Sequence, residues 1–381
     1  MKHFAMPHFL PPALLFLGNA LLYISLFIRM PEIAGAMGIG KAALGVAIFG
    51  ASIGTLAALP IAGRVTNRLS PRVTAAISLA AMCPLMPIMS VVSYQWFFIC
   101  FVIFGFVRTL LDVAANMVAM EAERLAGVKV LSRSHGFWSI GLLLGSLFGG
   151  FMAGRGVAPF IHLSIISALI VVLAAVELKL LPSLAPQPAD EGGKRRIFVL
   201  PGKAVLLVCA IVFGLAIAEG TIYDWGIFYI RSVIGADPAT AGLLFACFTA
   251  SMGLMRMLGD QLRGRFSSVR LLQASVVSVF CGIIFLVAVP GVFTGAVALT
   301  VIGAGIALNM PLAVAAVAQL PGRSAADNLA AMSLALLIST IGIPPLMGTV
   351  AEAFGLTVTF LLLLPMLVVS FLLAPRAYRG F

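Results

Sequence analysis

The chain has 381 residues, 62% hydrophobic and 10% charged, with a formal net charge of +11 and a mean hydropathy of +1.15. Soluble domains carry roughly 25% charged residues, so this composition excludes a water-soluble globular enzyme and points to lipid as the solvent. Lipid admits only helices and closed barrels. The apolar runs are about 20 residues long, enough to cross a ~30 Å hydrocarbon core as helices, and they lack the short alternation of barrel strands.

The fold class expected is an all-α membrane protein with twelve transmembrane helices. In chain order the spans fall near 10–30, 42–63, 73–93, 96–122, 134–154, 159–181, 204–230, 240–262, 269–289, 292–317, 326–347 and 356–375. Lys2 followed by the apolar run from Leu10 has the outline of a signal peptide, but no small-residue cleavage pattern follows. Arg29, Pro31 and Glu32 instead end a span, and another starts near Lys41. Most connections are short. The exception, 182–203, is rich in Pro, Gly and charge and reads as a cytoplasmic linker between two six-helix bundles, 1–181 and 204–381.

Orientation follows from Lys and Arg in the loops. With both termini cytoplasmic, eighteen basic residues fall inside and four outside, namely Arg29, Lys41, Arg155 and Arg231. The basic charge is thus a topology signal of an inner-membrane protein, not a nucleic-acid footprint. All five cysteines lie inside apolar runs without a CxxC, and the four histidines lack metal-ligand spacing. Neither a metal nor a cofactor is expected, and no nucleophile constellation or phosphate loop suggests an enzyme.

The halves echo each other at an offset of 193 residues: Gly63, Asn67 and Arg72 fall on Arg256, Asp260 and Arg265. Parallel repeats of this kind suit a transporter. The loop after the second span, Gly63-Arg-Val-Thr-Asn67-Arg68-Leu-Ser70-Pro-Arg72, resembles the signature G-x-x-x-D-R-x-G-R-R of the major facilitator superfamily. Asn67 replaces the acid and Ser70 the second glycine. Gly105-x6-Asp112-Val-Ala-Ala-Asn116, Ser134-His135-Gly136-Phe137-Trp138 and Glu219-Gly220-x3-Asp224-Trp225-x3-Tyr229 look like a bacterial branch related to the fucose permeases. The resemblance implies two parallel six-helix repeats, alternating access and, often, proton coupling. It makes Asn67, Arg68 and Arg72 candidates for gating, and Arg256 and Asp260, at i and i+4, look like a gate pair at the inner end of the eighth span. It also makes Asp112 the counterpart of the proton-coupling acid on the fourth helix of fucose permeases.

Ionisable groups at membrane depth are costly and therefore functional candidates. Arg108, Asp112 and Asn116 recur every four residues and share one helix face. Counted from Trp96, Arg108 lies roughly 18 Å into its span. The pair serves either coupling or as a fixed intrahelical neutralisation. Glu219 has no cation near it in sequence and is the leading proton carrier, with Asp112 and Asp224 behind it. Asp224 lies five residues on, about 140° around the helix, so the two acids form one site only if the helix breaks at Gly220 or Gly226. Candidate solute contacts are Asn19, Tyr23, Arg108, Asn116, Tyr223, Trp225 and Asn309. Trp225 and Tyr229 fit equally an interfacial aromatic belt. The stripe Gly141, Gly145, Gly149 reads as a close-packing surface.

The expectation is a monomeric secondary transporter taking up a polar or sugar-like solute with protons. The alternatives are a drug or metabolite exporter of the same fold and a transport-dead receptor.

Overall fold

The computed structural model describes residues 10–126, 130–180 and 200–377, and all its regular elements are helices. They are α1 (Leu10–Ile28), α2 (Met30–Met37), α3 (Lys41–Leu69), α4 (Pro71–Met89), α5 (Tyr94–Ala126), α6 (Leu131–Gly154), α7 (Pro159–Leu180) and α8 (Lys203–Ser232). Then follow α9 (Pro238–Arg265), α10 (Ser268–Ala288), α11 (Val292–Ile306), α12 (Asn309–Ala318), α13 (Ala325–Thr340), α14 (Ile343–Ala353), α15 (Leu356–Leu361) and α16 (Leu363–Ala377). Twelve segments are long and apolar enough to cross a membrane.

Sixteen helices make twelve spans because the short α2 is not a span and the last three spans are each interrupted once, and proline accounts for each interruption. Proline has no N–H and its ring meets the carbonyl four residues back. Pro311 thus separates α11 from α12, Pro344 and Pro345 separate α13 from α14, and Pro365 separates α15 from α16. The break that would have joined Glu219 and Asp224 in one site is absent, since α8 runs unbroken through Gly220 and Gly226. A helical glycine costs about 1 kcal/mol relative to alanine but still donates its hydrogen bond.

The chain divides into two compact units, Met1–Ile39 with Ala47–Lys194, and Gly40–Val46 with Arg195–Phe381. The expected linker lies, over 182–199, outside the described residues.

In the first unit α1 is the most enclosed helix, packed on α4, α5, α6 and α7. Helices in lipid gain little from burial as such and associate by close packing. Here glycine supplies the closeness. A side chain on Gly141 would overlap the Leu17 carbonyl, and on Gly145 or Gly149 it would press into Ile24 or Ile28. The small-residue stripe therefore docks α6 on α1. Likewise a Cβ on Gly105 of α5 would overlap the Ala51 carbonyl of α3, and one on Gly54 of α3 the Val102 carbonyl of α5.

In the second unit α8 takes the corresponding place, packed on α9, α12, α13 and α16. Gly214 of α8 meets the Met366 carbonyl of α16, and Gly303 of α11 meets the Phe248 carbonyl of α9.

Each unit turns from its second span to its third through a serine cap. Ser70 Oγ accepts from the Val73 amide at the start of α4, and Ser267 Oγ from the Arg270 amide at the start of α10. Ser70 has φ 79° and ψ 148°, and among the described residues it is the one non-glycine with positive φ. That conformation belongs to glycine, the residue the signature loop carries there.

Candidate functional site

In each unit a polar cluster of candidate residues lies within the apolar interior. In the first, α5 presents Arg108 and Asp112 one turn apart. Their closest approach, Nε to Oδ2, is 3.8 Å, an ion pair too long to be a hydrogen bond. Asp112 Oδ1 accepts instead from Asn19 Nδ2 of α1 at 2.8 Å. Asn116 does not face the carboxylate. Its amide donates back to the Asp112 carbonyl at 2.7 Å, within the helix.

The Arg108 guanidinium lies over two rings, 4.6 Å from the Tyr23 centroid and 5.5 Å from that of Trp138. The rings are 6.2 Å apart, and Tyr23 also stacks on Phe27 at 4.6 Å. Packing against aromatic faces steadies a cation in a dry setting. α1 supplies Asn19 and Tyr23 one turn apart, α5 the charges and α6 Trp138. Glycine contacts place α6 on α1, and α5 on α3.

In the second unit Glu219 of α8 accepts from Arg256 Nη2 of α9 at 3.2 Å, and both side chains are mostly buried. The sequence showed no cation near Glu219, and Arg256 had suggested a partner in Asp260. The side chain of Asp260 lies outside the described residues. Tyr223, one turn from Glu219, directs its hydroxyl to Met252 Sδ at 3.8 Å and its ring against Phe245 and Phe248. Asp224 is half-buried and makes no hydrogen bond or ion pair to described residues.

Other candidates are placed in packing. Trp225 is 0% exposed, against Phe228, and Tyr229 donates its hydroxyl to the Leu286 carbonyl at 3.1 Å. Both are core residues of the second unit, not a belt at the membrane surface. Asn309, fully buried at the break before α12, donates to the Val212 carbonyl of α8 at 3.3 Å, an interhelical tie. Asn67 and Arg68 end α3 and Arg72 begins α4, so the signature loop is a tight helix–helix junction.

Among the described residues, three buried ionisable side chains were not singled out as site residues by sequence reading. Arg29, counted among the outside basic residues, is 2% exposed and donates to the Val157 carbonyl at 2.5 Å and to Glu32 at 3.1 Å. His162 of α7 is buried against Phe148, and Glu177 of α7 is fully buried with no partner among the described residues. Each sits near a span end, where charge also occurs in ordinary loops.

Among the described residues no group of His, Cys, Asp or Glu has the geometry of a metal site. The model of one family, the Major Facilitator Superfamily, matches residues 13–327. The chain belongs to this superfamily. It is 29% identical over 361 residues to an uncharacterized transporter, y4wD, of Sinorhizobium fredii, a match covering 91% of each chain. Its fold is that of the nucleoside transporter NupG, with a TM-score of 0.76 at 15% identity, covering 98% of this chain and 100% of that one. A point mutant of the E. coli fucose:proton symporter FucP gives a TM-score of 0.63 at 18% identity, covering 97% and 98%. The chain is thus a multi-pass membrane transporter, and it carries the fold of the fucose permeases.

Proposed function

We propose that this transporter takes up a polar organic solute together with protons, by alternating access, as a monomer in a bacterial inner membrane with both termini cytoplasmic. The observation that carries the reading is the pairing of Glu219 with Arg256 in one unit and of Asp112 with Arg108 and Asn19 in the other. Ionised groups at this depth are expensive to keep and are retained where they move ions or bind solute. The names of two solved relatives, a nucleoside transporter and a fucose:proton symporter, support a polar cargo.

The chemistry of the Glu219–Arg256 pair suits coupling. A hydrogen bond between two ions is roughly twice as strong as one between neutral groups. A proton on Glu219 therefore weakens its hold on Arg256 and frees a guanidinium and a helix–helix tie together. Return of the proton to the cytoplasm restores the pair. Asp112, anchored by Asn19, is the second station. Asp224, without an ion-pair partner among the described residues, is the third candidate.

The eighteen-to-four distribution of Lys and Arg supports the orientation. The test is solute accumulation in proteoliposomes under an imposed pH gradient. Glu219→Gln and Asp112→Asn are each expected to uncouple accumulation from the gradient. Gradient-driven accumulation that survives in both variants would refute the coupling assignment.

A further inference from the structure

We infer that the Arg108 site receives a carboxylate, so that the solute is a hydroxylated organic acid carried as its anion with one proton. This deepens the transport reading above and rests on it. Four observations on the first unit lead to it.

The guanidinium is oriented before any ligand arrives. Tyr23 and Trp138 lie at 4.6 and 5.5 Å from its centre, leaving its N–H edges to point elsewhere. Those N–H groups make no hydrogen bond to described residues. Asp112 stands 3.8 Å away, and Arg108 Nε is buried without a partner among the described residues. The neighbouring amide donors are already committed, Asn19 Nδ2 to Asp112 Oδ1 and Asn116 Nδ2 to the Asp112 backbone, while Asn19 Oδ1 is buried without a partner among the described residues. Finally, the Arg108 side chain is 31% exposed and that of Asp112 is 46% exposed, so a solute can reach both.

A planar fork of donors with its orientation fixed and its hydrogen bonds unmade is the complement of a carboxylate, which takes two parallel N–H bonds. A neutral sugar would use such a fork poorly, because each hydroxyl also offers a donor that needs an acceptor. Nor are both rings free to stack on a sugar, since each already faces the cation. Asp112 Oδ2, which makes no hydrogen bond to described residues, supplies one acceptor beside the fork. It fits a hydroxyl adjacent to the bound carboxylate.

Charge balance then gives the proton. The cluster by itself, one guanidinium and one carboxylate, sums to zero. A second carboxylate leaves it at minus one at a depth where net charge is costly. One proton from the side where the solute arrives, placed on Asp112, restores the sum, and both leave together on the other side. The titratable or charged side chains on the elements around Asp112 are Tyr23 on α1, Lys41, Arg64 and Arg68 on α3, Arg72 and Cys83 on α4, Tyr94, Cys100, Arg108, Glu121, Glu123 and Arg124 on α5 itself, and Arg133 and His135 on α6; of these Arg108 forms the ion pair with Asp112. Cys83 is committed to the Leu79 carbonyl, and His135 lies against Phe16.

The experiment uses the full-length protein and matched pairs of probes: hydroxy acids of three to six carbons, gluconate among them, each beside its own amide. Equilibrium binding in detergent and flux in proteoliposomes are measured separately. Wild type is expected to bind at least one acid and to reject its amide. Arg108→Gln should weaken that binding at least about tenfold. Arg108→Lys, which keeps the charge without the fork, should also weaken it. Trp138→Ala should do so several-fold.

Binding by amides or neutral solutes alone, or by no acid in the series, would overturn the inference. Neutral-solute flux that follows the pH gradient and survives Arg108→Gln would overturn it while leaving proton-coupled transport standing. Acid binding without gradient-driven flux would do the reverse. Wild-type discrimination between acid and amide decides the matter even if an Arg108 variant fails to fold.

Discussion

Ser70 shows what a single residue carries. At φ 79° and ψ 148° it occupies a region that costs a side chain of order 1–3 kcal/mol, and its Oγ returns only a long 3.4 Å cap bond to Val73. Ser70→Gly is therefore expected to stabilise the folded protein by about 1 kcal/mol, read as a higher unfolding temperature in detergent; a lower one would mean that the cap outweighs the strain. Arg256 and Glu219 give a second test. Each single substitution to Gln strands a charge in a mostly buried setting, whereas the double substitution removes both. The double variant is expected to be more stable than either single, by about 1–3 kcal/mol, and additive losses would show that the two do not interact. That Glu219, Asp112 and Arg108 lie within apolar spans was legible in the sequence, because charge inside an apolar run is conspicuous. Their partners were not. Asn19 is 93 residues from Asp112 and Arg256 is 37 from Glu219, and only helix packing brings them together. Trp138 was visible in its motif but not as a wall of the Arg108 site, for the same reason.

At the scale of the element, run length and turn residues gave the spans to within six residues at either end, the second and eleventh ending latest. The interruptions were harder to read. Glycines in the seventh span suggested a break that α8 does not have, while Pro311, Pro344, Pro345 and Pro365 broke three other spans. A glycine weakens a helix but leaves its hydrogen-bond ladder intact, whereas a proline removes a rung. Close contact between helices governs how the site is held. Gly105 stands three residues before Arg108 and meets the α3 backbone at Ala51. Gly105→Val is expected to destabilise the protein by roughly 2 kcal/mol or more and to lower solute binding even though it touches no polar group. Unchanged stability in a thermal melt would show that α3 and α5 can separate freely. Outside the membrane, Asp237 caps α9. The Thr240 hydroxyl, with the amides of Thr240 and Ala239, holds its carboxyl below the usual carboxylate range. A lowered value means that the cap contributes fully above the unfolded value of about 3.9 and fades as the pH falls through the folded one. The stability difference between wild type and Asp237→Ala is expected at neutral pH and should vanish in acid.

For the molecule as a whole, twelve spans and a lopsided share of Lys and Arg between alternate loops were plain from the sequence, and the superfamily match over residues 13–327 agrees with the signature loop. Cargo was not plain, because apolar helices look alike whatever passes between them. The chain holds a charge cluster in each unit, and coupling is the function proposed for them. The most direct test is accumulation of solute in proteoliposomes with and without a pH gradient, comparing wild type with Glu219→Gln. Accumulation that requires the gradient in wild type and is lost in the variant is expected if Glu219 carries the proton. Equal flux with or without the gradient, in both proteins, would contradict proton coupling and leave the Glu219–Arg256 pair as a structural tie between α8 and α9.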